Sequence, residues 1–174
     1  MDIESILNKL NTDERAEIER LIWIDALTGL RNRRAFDYDT RKETRKSEAI
    51  GYGLTMLMID VDKFKTYNDT KGHPEGDILL TKIGETIREN IKGFDTCYRY
   101  GGEEMCVLLP NTNTDQAYQV AERLRVNIQE RTGQTISIGV SAYENDISKF
   151  ISEADKALYV SKETGRNKTT IARR

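Results

Sequence analysis

Residues 95–109 read DTCYRYGGEEMCVLL. Two strand-like runs, DTCYRY and EMCVLL, flank two glycines, and two glutamates follow the glycines at once. Glycines tolerate the backbone angles of a tight turn, so the stretch reads as a β-hairpin with Gly101-Gly102 at its tip. A two-residue turn would set Cys97 opposite Cys106 as a reduced apolar pair. The tip also raises an electrostatic question. Glu103 and Glu104 are unremarkable in water, but near a third acid they repel, by about 4 kcal/mol at ~4 Å with an effective dielectric of ~20.

Outward from the hairpin the pattern becomes a fold. Before it, GLTMLMIDVD (53–62) holds an unbroken apolar run from Leu54 to Ile59 that ends in Asp60-Val61-Asp62. A short continuous apolar run of this kind is expected for a strand buried on both faces. A loop rich in Asn, Asp and Gly follows, and then helical spacing over 77–91 through Ile78, Leu79, Ile83 and Ile87. After the hairpin, 115–130 is helical through Ala117, Val120, Ala121, Leu124 and Ile128. TISIGVSA (135–142) alternates, with Ile136, Ile138 and Val140 on one face. A last helix covers 147–163, with Phe150, Ile151, Ala154, Leu158 and the neighbourhood of Tyr159 turned inward.

The order β-α-β-β-α-β predicts an α+β fold with a ferredoxin-like core and extra helices. In that topology the first strand lies beside the third and antiparallel to it. The carboxyl end of 54–60 then meets the 100–103 turn, so Asp60, Glu103 and Glu104 converge at one end of the sheet. Converging carboxylates call for hard cations, and Mg²⁺ is typically held by one or two carboxylates plus substrate phosphates. A pair of such ions serves phosphoryl transfer, which points to a nucleotidyl-transfer site of the polymerase-palm or nucleotidyl-cyclase kind. Two rival sites fail. Asp60-Val61-Asp62 opens like a calcium loop, but Phe64 and the missing Gly and Glu rule that out. Lys65-Thr66 lacks the glycines of a phosphate-binding Walker loop.

Composition narrows the class further. The 174 residues make one domain with a short extension, with 27 basic and 29 acidic side chains and a formal net charge of −2. No basic excess supports a nucleic-acid partner, and no apolar run reaches membrane-spanning length. The acidic, amphipathic start MDIESILNKL is unlike a secretory signal, so a cytoplasmic protein is expected. Two cysteines, one histidine and no Cys-x-x-Cys argue against a disulfide scaffold or a zinc site.

At the amino end, Ile3, Ile6, Leu7, Leu10, Ile18, Leu21 and Ile22 stand at helical spacing. Asn11, Thr12 and Asp13 could divide them into two helices with a cap between. Such a helix either packs on its own domain or serves dimerisation and signal relay. In DALTGLRNRRAF (25–36), Thr28-Gly29 reads as a turn and Asn32 as the cap of a charged helix running to about Ser47. The domain boundary falls between a helical extension, 1–22, and a catalytic domain, 23–174.

These motifs together resemble the GGDEF family, the diguanylate cyclases. RYGGEEM is similar to the family signature, as are DALTGLRNRRAF, DVDKFKTYNDTKGHPEGD, SIGVSA and ADKALYVSKETGRN, in family order over about residues 25–170. Singly each has an ordinary explanation: a helix cap for Asp60 or Asp62, a plain hairpin turn, a solvated helix end for Lys162. Their joint occurrence in order does not.

The resemblance implies that Asp60, the carbonyl of Val61 and Glu103 hold two Mg²⁺ ions, with Mn²⁺ as a substitute. It implies that Glu104 acts at the attacking 3′-hydroxyl and that Asn68 and Asp77 read guanine. Phe64 and Lys65 then cradle phosphates, while Lys162 and Arg166 hold the terminal ones. The activity implied is condensation of two GTP molecules to cyclic di-GMP across a homodimer, without nucleic acid or membrane. Alternatives are a non-catalytic module sensing GTP or cyclic di-GMP and an altered cyclase making a mixed or mononucleotide product. His73 is expected to structure its loop, and Met105 to replace a phenylalanine as a large apolar strand residue. Family members often carry Arg-x-x-Asp before the signature as a product-inhibition site. Here Lys92-Gly93-Phe94-Asp95 lacks the arginine's bidentate fork, so feedback inhibition is expected to be weak or absent. No sensor domain is read, which leaves a naturally short enzyme, a fragment, or a subunit whose regulatory partner binds residues 1–22.

Overall fold

The computed structural model describes residues 10–173. The elements run α1 (Thr12–Trp23), α2 (Arg33–Ile50), β1 (Leu54–Val61), α3 (Phe64–Lys71), α4 (His73–Asn90), β2 (Thr96–Arg99), β3 (Glu104–Pro110), α5 (Thr114–Thr132), β4 (Ile136–Ala142), α6 (Ile147–Glu163) and β5 (Thr169–Ile171). The sheet order is β2-β3-β1-β4-β5, with β1 antiparallel to both β3 and β4. This is the ferredoxin-like βαββαβ core, with α1, α2, α3, α6 and β5 added to it.

All eight residues of β1 are buried, because helices cover both faces of the sheet. Leu57, Ile59 and Val61 face α4 and α5 through Leu80, Ile83, Ala121 and Leu124. Leu54, Met56 and Met58 face α2 and α6 through Phe36, Phe150, Ala154 and Leu158. The second face explains why an antiparallel strand reads as a continuous apolar run rather than an alternating one. Gly139 permits the tight seat of α6 on β4: a Cβ there would lie 2.1 Å from the Ala154 carbonyl oxygen.

Both helix starts near the amino end have the caps their sequences predict. Asn11 accepts from the Glu14 N–H at 2.9 Å and Asn32 from the Ala35 N–H at 3.0 Å, each satisfying a first-turn donor. Gly51 ends α2 in the left-handed region, a turn beyond the expected Ser47. No residue of α1 is buried. The expected positions Ile3, Ile6 and Leu7 lie outside the described residues.

Several expectations need correction. The hairpin loop is not two residues long. Arg99 pairs with Met105, Tyr98 with Cys106 and Cys97 with Val107, so five residues, 100–104, separate the last pair. One residue of register moves every side chain to the other face, so Cys97 joins the α4–α5 core and Cys106 the α2–α6 core. The two thiols are free and buried on opposite sides of the sheet.

The supposed loop after β1 holds α3, and α4 starts at His73 rather than 77. His73, expected to structure a loop, is exposed on the first turn of α4. Of the positions at helical spacing, Ile78 is 47% exposed, and Tyr159 itself is 63% exposed; the expected Leu79, Ile83, Ile87 and Leu158 are buried, joined by Leu80 and Ala157. The short parallel strand β5 beside β4 was not anticipated. Met105 is fully buried, as its apolar role requires. Among the described residues no helix is long and apolar enough to cross a membrane.

Candidate active site

The antiparallel pairing of β1 with β3 sets Asp60 directly opposite Glu104. Asp60 is only 6% exposed, while Glu103 and Glu104 are half-buried beside it. From the last turn of α6, the Lys162 Nζ reaches Asp60 Oδ2 at 2.6 Å. Burial pushes the Asp60 carboxyl up to about 6. The Lys162 ammonium opposes that rise, and the charges of Glu103 and Glu104 add to it. One ammonium therefore does not balance three acids, and the cluster attracts further positive charge.

Among the described residues, no three acidic, histidine or cysteine side chains converge closely enough to form a metal cage of their own. Hard oxygen donors short of a full shell fit Mg²⁺, which takes its remaining ligands from water and substrate phosphates.

The turn is built around Glu104. Its carbonyl oxygen accepts from the N–H groups of Tyr100 at 2.8 Å and Gly101 at 3.2 Å. A Cβ at residue 101 would sit 2.7 Å from Glu104 Oε2, so the first glycine makes room for the carboxylate. The Gly102 carbonyl oxygen accepts from Arg99 Nε at 3.0 Å and Nη2 at 2.9 Å. The same guanidinium meets both oxygens of Asp25 at 3.2 Å through Nη1. Burial alone would raise the Asp25 carboxyl. The hydrogen bonds from Thr28 and the Arg99 charge outweigh it and hold the carboxyl below its ordinary value. Residues 25–31 thus dock on the edge of β2, where Arg31 bridges to the strand, and grip the signature turn through one arginine.

Across the sheet end, α3 begins after Lys63, a left-handed residue with φ 53° that makes no side-chain cap. Phe64 and Lys65 open this helix, so its first-turn N–H groups are free for an acceptor such as a phosphate. Asn68 Oδ1 is buried without a hydrogen-bond partner among the described residues, a costly state that a bound donor would relieve. It lies over Gly76, where a Cβ would stand 1.9 Å from that oxygen. Asp77 is the next residue on α4 and lines a cavity of about 320 Å³ with Leu27, Ile78, Thr81, Lys82 and Glu85. Arg166 is exposed just beyond α6, in the left-handed region with φ 61°.

The comparisons agree with this geometry. The family model described as "Diguanylate cyclase, GGDEF domain" matches residues 22–168. The chain belongs to the GGDEF domain family. Diguanylate cyclase A of Treponema denticola is 44% identical over 131 residues, which is 69% of this chain and 35% of that protein. The chain spans about a third of the length of such curated relatives. Among solved structures, diguanylate cyclase SiaD of Pseudomonas aeruginosa, in complex with its activator SiaC, matches with a TM-score of 0.86. It is 34% identical, over 98% of this chain and 69% of that one. The GGDEF domain of DgcB from Caulobacter crescentus, in complex with c-di-GMP, matches with a TM-score of 0.82. Its identity is 30%, over 86% of this chain and 95% of that one.

In this GGDEF domain Asp60, Glu103, Glu104 and Lys162 meet at the sheet end, while Asn68 and Asp77 form a second group around Gly76 and the α4 cavity. The GGDEF signature turn depends on residues that pattern reading passed over: Arg99, Asp25 and the two donors of Thr28. Gly76 carried a signal, since a glycine within a helical pattern costs stability and asks for a packing reason. Lys92 and Asp95 form a small turn of their own, in which the Lys92 N–H donates to Asp95 Oδ2 at 2.9 Å.

Proposed function

We propose that this GGDEF domain condenses two molecules of GTP into cyclic di-GMP and releases two pyrophosphates, across a dimer in which each protomer holds one GTP. The observation that carries the reading is the convergence of Asp60 with Glu103 and Glu104 beside Lys162, in a chain of this family.

Asp60, the Val61 carbonyl and Glu103 would hold two Mg²⁺ ions, or Mn²⁺ in their place. Bound there, the ions supply polarisation of the α-phosphate and a lower pKa for the attacking hydroxyl. Everything else falls to the chain. Asp77 accepts from the guanine N1–H and 2-amino groups together, a pair adenine does not offer, and Asn68 adds a further contact. The first turn of α3, at Phe64 and Lys65, donates N–H groups to phosphate oxygens.

Glu104 takes the proton of the 3′-hydroxyl of the partner's GTP as its oxygen bonds to the α-phosphorus. The bond from that phosphorus to the bridging oxygen breaks, and pyrophosphate leaves with the electron pair. Lys162 and Arg166 stabilise its charge, Lys162 exchanging Asp60 for phosphate oxygens. The same step with the roles of the two nucleotides reversed closes the ring.

Residues 1–22 serve as the site for a second copy or a regulatory partner. Two findings favour this: α1 buries none of its residues, and SiaD is found with an activator protein.

The purified chain should be incubated with Mg²⁺ and GTP, alone and with ATP, and the products separated chromatographically. Cyclic di-GMP with its linear intermediate is the expected result. Unchanged GTP at high protein concentration would discard the cyclase and leave nucleotide sensing in its place. A mixed product would show that Asp77 does not enforce guanine at both sites. Glu104→Gln should retain GTP binding and lose roughly 10²–10⁴ in turnover; full activity would remove Glu104 from its role.

A further inference from the structure

Asp60 and Asp62 look equivalent in the run Asp-Val-Asp, yet the structure commits them to different tasks. Asp62 is 3% exposed, and the partners of its carboxylate are residues outside the acidic cluster. Its Oδ1 accepts from Ser137 Oγ at 2.7 Å. Its Oδ2 accepts from Thr135 Oγ1 at 2.7 Å and from the backbone N–H of Asn167 at 3.0 Å. Its carbonyl oxygen takes a further bond from the Gln134 amide. Among the described residues no ion pair is formed by this carboxylate, so three neutral donors compensate a buried charge. Such hydrogen bonds are the strong, charge-assisted kind.

The third donor leads to the site. Gly165, Arg166 and Asn167 take φ angles of 117°, 61° and 46°, three successive residues in conformations that L side chains disfavour. This run persists only if its surroundings over-determine it. The Asn167 N–H to Asp62 is one restraint. Arg125 Nη1 donates to Asn167 Oδ1 at 2.8 Å, Asn167 Nδ2 donates to Gln129 Oε1 at 3.2 Å, and the Arg166 N–H donates to the Ser161 carbonyl at 2.9 Å. Among the described residues, only the Asp62 bond joins the run directly to the end of β1, two residues from Asp60.

We propose that Asp62 is a positioning residue: it fixes the backbone beside Arg166, and so the guanidinium's reach to the terminal phosphates, without touching metal or nucleotide itself. The inference rests on the phosphate role proposed for Arg166.

The test measures affinity for 3′-deoxy-GTP, which lacks the nucleophile and so cannot be condensed, against GMP, which lacks the terminal phosphates. Asp62→Ala should weaken 3′-deoxy-GTP binding roughly tenfold to hundredfold, the loss typical of a hydrogen bond to a charged group. GMP binding should stay within about twofold of wild type, below the size of one net hydrogen bond. Asp62→Asn should largely restore triphosphate binding. Its amide oxygen can accept from Thr135 and Asn167, while its NH₂ donates to the Ser137 oxygen. Arg166→Ala should match the Asp62→Ala loss, and the double variant should be no worse than either.

Thr135→Val removes one contact to the same oxygen and keeps the volume. It should show a smaller loss with the same selectivity, and it decides the matter if Asp62→Ala does not fold. Equal losses for GMP and triphosphate would overturn the proposal in favour of general structural damage. An Arg166→Ala loss with no Asp62→Ala or Thr135→Val loss would overturn it alone. Unchanged binding in Arg166→Ala would remove the phosphate role and this inference with it.

Discussion

Gly76→Ala separates the nucleotide site from the stability of the fold. A Cβ at residue 76 would stand 1.9 Å from Asn68 Oδ1 and 3.2 Å from Phe64 Cζ. The phenylalanine can yield a few tenths of an ångström. The Asn68 oxygen must retreat by roughly 1.5 Å, from 1.9 Å to the 3.4 Å at which ordinary contact begins. Two effects on folding then oppose each other. Replacing a helical glycine by alanine stabilises by up to about 1 kcal/mol, and forcing a side chain off its rotamer costs about 0.5–1.5 kcal/mol. The melting temperature should hardly move.

Binding is different, because a hydrogen bond does not survive a displacement of that size. On the proposed reading, the bond partner left behind on the nucleotide costs about 1–3 kcal/mol, or roughly fivefold to 150-fold in affinity. Calorimetric titration with 3′-deoxy-GTP, run beside thermal unfolding, reads both quantities. Asn68→Ala should show a comparable loss. On that background Gly76→Ala should cost nothing further, since the colliding amide is gone. Wild-type affinity in Gly76→Ala, or a double variant clearly weaker than Asn68→Ala, would refute the reasoning.

Three more outcomes follow from the same geometry. In metal-free buffer, Asp60 keeps its proton up to about pH 6 when folded and releases it near 3.8 when unfolded. The folded state therefore binds more protons in that window, and stability must fall as pH rises through it, by an order of about 3 kcal/mol. Urea midpoints between pH 4 and 7 for wild type and Asp60→Asn isolate the effect, and a wild-type advantage that grows with pH would contradict the sign. Gly139→Ala would bring a Cβ to 2.1 Å from the Ala154 carbonyl and 2.3 Å from the Leu158 nitrogen. The obstacle is helix backbone, so a loss of about 3 kcal/mol or more in urea unfolding is expected, and one under about 0.5 kcal/mol would mean that α6 is free to shift. On the proposed reading, in which Lys92 and Asp95 stand where the family carries its product-inhibition site, Lys92→Arg should raise inhibition by cyclic di-GMP about tenfold by supplying the bidentate fork; no gain in product sensitivity would mean that Lys92 is not the cause.

What the sequence shows of this molecule and what it hides divide along a physical line. Periodicity within one element is local, so β1, β4, α5 and the caps at Asn11 and Asn32 are legible residue by residue. Register is not local. The alternation of 95–109 is plain, but its phase depends on whether an even or an odd number of residues separates the last paired positions. Five residues, 100–104, stand between Arg99 and Met105, and that odd number turns Cys97 and Cys106 to opposite faces of the sheet. Elements that bury little leave no period to read: α3 has no buried residue, and the three residues of β5 are only half-covered. The candidate site shows the same division. Asp60 and the glutamates were brought together by strand order alone, because topology sets Asp60 against Glu104 whatever the loop length does locally. The grip of Arg99 on Asp25 spans 74 residues, and that of Asp62 on Asn167 spans 105. Neither follows from any spacing, because each depends on where a strand stops. β1 ends at Val61, and that single position sends one aspartate of the pair to the acidic cluster and the other to the arginine loop.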